Sequence, residues 1–355
     1  MNTGLRTPWQ NPPLEGDSTE VAEGIHWICL PLPMKLDHVN VYALDDGDGW
    51  TIIDTGLNSK RTKTIWDNLI VGLLGRRPIH RVILTHHHPD HIGLAGWFMA
   101  EHGAELLASR TSYLMGRMLT LDVQALPPQE TINFWRRSGM SEALVKERAE
   151  GKPFNFADMV SPIPLGYKRL QEGDQIFMGG RNWVVRMGNG HAPEHATFWS
   201  DDSEILIAGD QIISSISSNL GVYVTEPEAD PVGEWLVSCE NFLHHAKTNH
   251  LVLSGHKLPF TGLSFRLSQL IENHHAALER LRVFLDRPRT AAECFQPLFK
   301  RIIGEDEYGL ALVEAVAHLN HLFVAGEVSR HLNANGAYVY RCVDQSGTGA
   351  ARGSS

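Results

Sequence analysis

The chain has 355 residues, 43% of them hydrophobic, with 41 acidic against 31 basic side chains and a formal charge of −10. That length suits about two domains of roughly 100–200 residues each, and the apolar fraction supports a sizeable core rather than general disorder. No apolar run approaches the ~20 residues of a membrane span, the start MNTGLRTPWQ lacks a basic segment followed by an apolar one, and net acidity disfavours a phosphate-backbone binder. A cytoplasmic protein without membrane or nucleic-acid partners is therefore expected.

Residues 1–20 are Pro- and Gly-rich and read as an arm. Ile25–Leu30, Val39–Leu44 and Trp50–Ile53 have the composition of short strands, with Asp45-Asp46-Gly47-Asp48-Gly49 as turn chemistry before the third. Ile65, Leu69 and Leu73 recur at helical spacing in Asn58–Leu74, and Arg81–Leu84 is a short apolar strand that stops at a histidine cluster. Residues 110–165 carry Met115, Met118, Phe134, Trp135 and Met140 at helical spacing without a strand pattern, as a helical insertion would. Strand signals return at Trp183–Met187, Thr197–Trp199, Ile205–Ala208 and Leu251–Ser254, and Leu263–Leu285 has the pattern of a long amphipathic helix. The proline in Asp286-Arg287-Pro288-Arg289 marks a boundary. Beyond it come two helical segments, Ala291–Ile303 and Tyr308–Ala325, and a hairpin over Asn333–Cys342 with Asn335-Gly336 at its turn. The expected division is an arm at 1–20, a main domain at 21–285 containing the insertion, a small winged-helix-like domain at 286–345, and a disordered Gly/Ser/Ala-rich tail at 346–355.

Cys29, Cys239, Cys294 and Cys342 stand far apart, without the spacing of a zinc knuckle or redox pair, so free thiols are expected. Histidine is the unusual count: there are 19, four of them within residues 86–91. In Thr85-His86-His87-His88-Pro89-Asp90-His91-Ile92-Gly93, His86 and His88 are two apart and face one side of an extended segment. The Pro-containing turn can aim Asp90 and His91 at a neighbouring point. Imidazole with carboxylate suits a divalent metal such as Zn²⁺, and two ligand sets side by side suit two metals.

His86-X-His88-X-Asp90-His91 resembles the hallmark of the metallo-β-lactamase fold superfamily. Four further segments resemble that family's motifs in the same order: Ile53-Asp54-Thr55-Gly56 upstream, then Gly190–His195, Ala208-Gly209-Asp210 and Ser254-Gly255-His256 downstream. The resemblance implies an α/β fold, the family's αββα sandwich, with the helical insertion and the small C-terminal module added. It also implies a ligand set. His86, His88 and His191 would hold one metal, Asp90, His91 and His256 a second, and Asp210 would bridge the two. Asp54 would orient a ligand histidine by hydrogen bond. His195, four residues after His191, reads as structural. The cofactors implied are two divalent ions, in the first place zinc, with iron or manganese satisfying the same donors.

Such a pair activates water as the nucleophile, and Asp90 or Asp210 would pass its proton to the leaving group. Thr85–Gly93 has the form found in glyoxalase II-like hydrolases, which points to an acyl thioester, or a related ester or lactone, as substrate. The C-terminal module is similar to that of the β-lactamase-like-2 subgroup, some of whose members cleave RNA. Over 286–344, however, eight acidic side chains face six basic ones, a poor surface for phosphates. An endoribonuclease or phosphodiesterase is thus the alternative reading, as is a persulfide dioxygenase with a single iron. Met115, Met118, Phe134, Trp135 and Met140 of the insertion are the candidate substrate pocket, since Met and aromatic side chains make adaptable apolar surfaces. The module at 286–345 leaves room for a homodimer.

Overall fold

The computed structural model describes residues 4–343, which form two compact units. The first comprises the chain up to Gln124, Phe154–Ser218 and Trp235–Leu270; the second comprises Ala125–Pro153, Asn219–Glu234 and the chain from Ile271 onward. The 346–355 tail lies outside the described residues.

The first unit is built on two sheets. One has seven strands in sequential order: β1 (Ser18–Ala22), β2 (Ile25–Pro31), β3 (His38–Asp45), β4 (Trp50–Ile53), β5 (Ile79–Ile83), β6 (Glu105–Ser109) and β7 (Lys168–Leu170). The other takes β8 (Gln175–Met178), β9 (Arg181–Gly188), β10 (His195–Ser200), β11 (Ile205–Gly209) and β12 (Leu251–Ser254), in the order β12-β11-β10-β9-β8. Most neighbours are antiparallel, but β4, β5, β6 and β7 run parallel, and so do β11 and β12.

The period of two along each strand builds the sandwich. Ile25, Trp27 and Cys29 of β2 join Tyr42 and Leu44 of β3 in one apolar cluster with Trp183, Val185, Phe198 and Ile207 of the second sheet. The alternate residues Ile28, Leu30, Val39, Val41 and Ala43 face the other way, onto Ile65, Trp66, Leu69 and Phe98 of helices Lys60–Val71 and Ala95–His102. Helix Lys60–Val71 starts where Ser59 caps it by accepting the Thr62 N–H, and it buries Thr62, Ile65, Trp66 and Leu69. On the outer side of the second sheet, Trp199 packs 5.6 Å from Phe242. Helix, sheet, sheet and helix are therefore stacked, as the resemblance implied.

The strand positions expected from the sequence are found, most of them extended by a residue or two at the ends. The arm at 1–20 runs into β1, where Ser18 and Thr19 pair with Ile28 and Trp27. Strands β6, β7 and β8 carried no clear signal because each is only 3–5 residues long, and β7 and β8 leave most of their side chains in solvent.

The insertion is helical, with Arg110–Leu121, Gln129–Arg137 and Glu142–Glu150. In the second unit helix Tyr308–Val324 buries Leu312, Ala315, Val316 and Leu319, and β13 (Val328–Leu332) pairs with β14 (Tyr338–Cys342); the hairpin expected over 333–342 keeps its turn at Asn335-Gly336 but starts five residues earlier. The helix expected over 291–303 is instead a 3₁₀ turn, Ala291–Cys294, followed by a five-residue helix, Phe295–Phe299. Pro297 has no N–H to give to the carbonyl four residues back, and Lys300 in the left-handed region (φ 55°) ends the segment. All four cysteines are free thiols. No helix among the described residues is long and apolar enough to cross a membrane.

Candidate metal centre

Five loops of the first unit converge beyond the strand ends. Asp54 follows β4, His86, His88, Asp90 and His91 follow β5, and His191 lies in the turn between β9 and β10. Asp210 follows β11 and His256 follows β12. Parallel strands put their carboxyl ends on one side, so β4 and β5 in one sheet and β11 and β12 in the other deliver these side chains to one place. The two sequence motifs that end in glycine meet there. Gly93 is packed so closely on the Gly56 carbonyl that a Cβ would sit 2.3 Å from that oxygen. The Thr55 hydroxyl and N–H both donate to the His91 carbonyl at 2.8 Å, closing the turn that carries Asp90 and His91.

Three nitrogens form a small triangle: His86 Nε2 to His88 Nδ1 is 2.9 Å, His88 Nδ1 to His191 Nε2 is 3.1 Å, and His191 Nε2 to His86 Nε2 is 3.3 Å. Nitrogens bound tetrahedrally at about 2.0–2.1 Å from one Zn²⁺ stand about 3.3 Å apart, so the triangle has the size of a metal face. Beside it, His256 Nε2 lies 3.3 Å from Asp90 Oδ2 and 3.2 Å from Asp210 Oδ2. His91 Nε2 lies 3.7 Å from Asp90 Oδ2 and 3.4 Å from Asp210 Oδ1. Asp210 Oδ2 is also 3.5 Å from His191 Nε2, so this carboxylate touches both groups. His91 Nε2 and Asp210 Oδ1 are buried and have no hydrogen-bond partner, which is costly unless a cation takes their lone pairs. The donors present therefore fit one metal at His86, His88 and His191 and another at Asp90, His91 and His256, with Asp210 between them.

The opposite ring nitrogens set the tautomers. His91 Nδ1–H donates to Asp54 Oδ2 at 2.8 Å, and His256 Nδ1–H donates to the His38 carbonyl at 2.9 Å. His86 Nδ1 faces the Thr85 hydroxyl at 3.0 Å, and that hydroxyl donates to Asp54 Oδ2 at 2.7 Å, so it can only accept from the ring. Each of these histidines thus turns Nε2 inward, as the atom whose lone pair a metal would take in place of a proton. Asp54 does more than the expected orientation of one ligand, because its Oδ1 also accepts the Thr85 N–H at 2.8 Å. It is 2% exposed and sits in the left-handed region at φ 59°, a conformation that Asp and Asn tolerate.

Burial, reinforced by neighbouring imidazoles, pushes His86 and His88 well below the usual histidine range, so both stay neutral lone-pair donors. At the other half the carboxylates win. Burial opposes charge on His91, yet Asp210, Asp90 and Asp54 hold it well above the usual range, and Asp210 and Asp90 raise His256 to about 10. Asp210 moves the opposite way: against its burial, His256 and His91 hold its carboxyl well below the usual range. A pocket of carboxylates that binds protons this tightly also offers strong electrostatic attraction to a metal cation, which competes for the same lone pairs. Asp90 has 20% of its side chain exposed against 8% for Asp210, so the cluster opens to solvent on the Asp90 side.

Three further residues support the site, of which His195 was read from the sequence only as structural and Asn40 was not singled out. His195 is fully buried, stacks on His86 with centroids 4.6 Å apart, and accepts the Asp210 N–H at Nε2 over 3.1 Å; burial drops it to about 3. It supports His86 and the Asp210 backbone and belongs to none of the donor groups. Asn40, 1% exposed in β3, donates from Nδ2 to the Ser254 and Lys257 carbonyls at 2.9 and 2.7 Å and clamps the loop that presents His256. A lone Asn between Val39 and Val41 was its only signal. Thr85 joins Asp54 to His86 as described. His87 is buried and turned aside, and belongs to none of the donor groups.

The proposed substrate-pocket residues are divided. Met115 is half-buried and Met118 exposed on helix Arg110–Leu121 of the first unit; Phe134 and Trp135 are half-buried and Met140 buried in the second unit. Helix Arg110–Leu121 adjoins the centre, because the Thr111 N–H and hydroxyl both donate to Glu194 Oε2, at 2.8 and 2.7 Å, within the loop that carries His191.

The chain belongs to the metallo-β-lactamase superfamily: that family's model matches residues 34–253, and the model of the metallo-β-lactamase-like C-terminal domain matches residues 278–343. It is similar to a protein of Bacillus subtilis (strain 168) named as a probable metallo-hydrolase, 27% identical over 326 residues, covering 89% of this chain and 97% of that one. Among solved structures, a β-lactamase domain protein from Burkholderia ambifaria superposes with a TM-score of 0.86 at 34% identity, covering 96% of this chain and 97% of that one. A metallo-β-lactamase family protein from Thermus thermophilus gives a TM-score of 0.76 at 26% identity, over 91% and 100% of the two chains.

Proposed function

We propose that the chain is a metal-dependent hydrolase with a dinuclear centre, most simply of zinc, that cleaves an acyl thioester or a related ester or lactone. The observation that carries this reading is the paired donor set, with Asp210 reaching both His191 and His256. The relative named as a probable metallo-hydrolase supports the same class. When bound, two such cations supply Lewis acidity toward a carbonyl and lower the pKa of water toward neutrality. His86, His88 and His191 would hold one of them, and Asp90, His91 and His256 the other. Asp90 or Asp210 would pass the proton to the leaving group, and Asp90 is the more exposed of the two. Asp54, Thr85 and His195 keep the ligands in their productive tautomer and orientation.

The acyl class rests on the form of Thr85–Gly93, which resembles that of glyoxalase II-like hydrolases. Helix Arg110–Leu121 turns Gly116 toward Ile92, where a Cβ would lie 2.5 Å from Ile92 Cδ1, and carries the exposed Leu114, Met118 and Leu121 on its opposite face. The test is thiol release from a panel of acyl-CoA and acylglutathione thioesters by zinc-loaded protein, with metal content measured in parallel. Release graded by acyl length and at least a hundredfold slower in Asp210→Asn is the expected result. Two bound metals with no release from any thioester or lactone would refute the acyl reading.

A further inference from the structure

The segment that follows Asp210 is held in shape by side chains. Residues 212–218 have no regular secondary structure, and no hydrogen bond joins their backbone to other backbone among the described residues. Ser218 closes the neck of this loop: its buried hydroxyl donates to the Asp210 carbonyl. The Asp210 N–H donates to His195 Nε2 at 3.1 Å, so side chains hold the backbone of this residue on both sides.

Inside the loop the brace is Arg266. It stands on helix Leu263–Phe284, on the face that also buries Leu263, Leu267 and Leu270, and is 4% exposed. Its Nε donates to the Ile213 carbonyl and a terminal nitrogen to the Ile216 carbonyl, each at 2.7 Å, while the other terminal nitrogen donates to Gln269 Oε1. It makes no ion pair among the described residues. A buried arginine is ordinarily paired with a carboxylate, because desolvating a lone cation is costly. Here the guanidinium is committed to two carbonyls of the loop, and a planar fork is the group that reaches both at once; a lysine would offer one nitrogen in their place. The carboxylate at the start of this loop lies against His91, His191 and His256, at 3.4, 3.5 and 3.2 Å, and those three rings stand on other loops. A shift of the braced loop would therefore move Asp210 relative to both donor groups.

We infer that Arg266 is a positioning residue of the metal centre, which fixes Asp210 between the two donor groups by bracing the loop that Ser218 closes. The inference rests on the centre proposed above, so its test reads metal binding and needs no substrate. The experiment is zinc titration of the full chain against a chelating competitor, for wild type, Arg266→Lys, Asp210→Asn and the double variant, with visible spectra of the Co²⁺-loaded proteins. Arg266→Lys should weaken zinc binding by about fivefold or more and change the Co²⁺ spectrum. In the Asp210→Asn background the same substitution should change zinc affinity by less than about twofold, because its effect runs through the missing carboxylate. Gln269→Ala, which leaves both carbonyl bonds in place, should match wild type in affinity and spectrum. Wild-type affinity and spectrum in Arg266→Lys would overturn the inference. So would an equal loss with and without the Asp210 carboxylate, which would make Arg266 a general packing residue. If Arg266→Lys does not fold, Ser218→Ala takes its place: a loss of about threefold that vanishes with Asp210→Asn supports the bracing of this loop, and unchanged zinc binding overturns it. A wild-type chain that binds no zinc would instead refute the proposed centre, and the inference with it.

Discussion

Replacing Asp54 by Asn separates a ligand's orientation from the ligand itself. The carboxylate accepts three hydrogen bonds: from the Thr85 N–H at 2.8 Å, from the Thr85 hydroxyl at 2.7 Å, and from His91 Nδ1–H at 2.8 Å. Asn fits the left-handed backbone as well as Asp does, and its carbonyl oxygen can keep the Thr85 N–H. Its amide then stands where Oδ2 stood and faces two donors. The Thr85 hydroxyl can rotate and accept, but His91 must move its proton to Nε2, the atom 3.4 Å from Asp210 Oδ1, and there it cannot bind a metal. Loss of such an outer partner typically costs 10–100-fold in metal affinity, about 1.4–2.7 kcal/mol. The triangle of His86, His88 and His191 keeps its own geometry, so the loss should fall on one metal. Zinc titration against a chelating competitor, with bound metal measured by mass spectrometry, should show two equivalents becoming one tight and one weak. The melting temperature should change by only a few degrees. Two metals bound with unchanged affinity, or both lost together, would refute the reasoning.

Gly255→Ala should be more severe at the centre, because a Cβ there would stand 2.1 Å from Asp210 Oδ1; bound zinc, read by the same titration, should fall at both sites while far-ultraviolet circular dichroism stays native. His195→Phe keeps the ring over His86 but strands the buried Asp210 N–H, at a cost of about 1–3 kcal/mol; chemical denaturation and zinc titration should both register it. In the second unit, Glu314 accepts from Asn219 Nδ2 at 2.7 Å, and its burial raises it from an ordinary 4.5 to about 7. Between those values the folded chain holds the extra proton. The contribution of Glu314 to stability is therefore fully present below about 4.5, falls as pH rises to about 7, and is lost above it, at most about 3 kcal/mol. Glu314→Gln should flatten that part of a denaturation-against-pH profile; an unchanged slope would show that Glu314 titrates normally.

What the residues alone could say follows from how local each signal is. Ligand types two or three apart at the end of an apolar strand are a local pattern, so His86, His88, Asp90 and His91 were legible from spacing and chemistry. His191, Asp210 and His256 became legible through motif order. Strands with alternating or continuous apolar residues were legible for the same reason, because burial of one or both faces is written in period two. Other features depend on distant backbone. Asn40 is a single polar residue in a strand until Ser254 and Lys257, more than 200 positions away, supply the carbonyls it clamps. His195 is set apart from His191 as a support only by stacking on His86 and by the Asp210 N–H. The short strands β7 and β8 exist because neighbours offer them a ladder, not because their own residues demand one. Arg266 is a single charge on an apolar helix face until Ile213 and Ile216, 53 and 50 positions away, supply the carbonyls it braces. Sequence determined which side chains are available as ligands; tertiary packing decided which nitrogen each presents, because the opposite ring atom is fixed by partners that only the fold brings near.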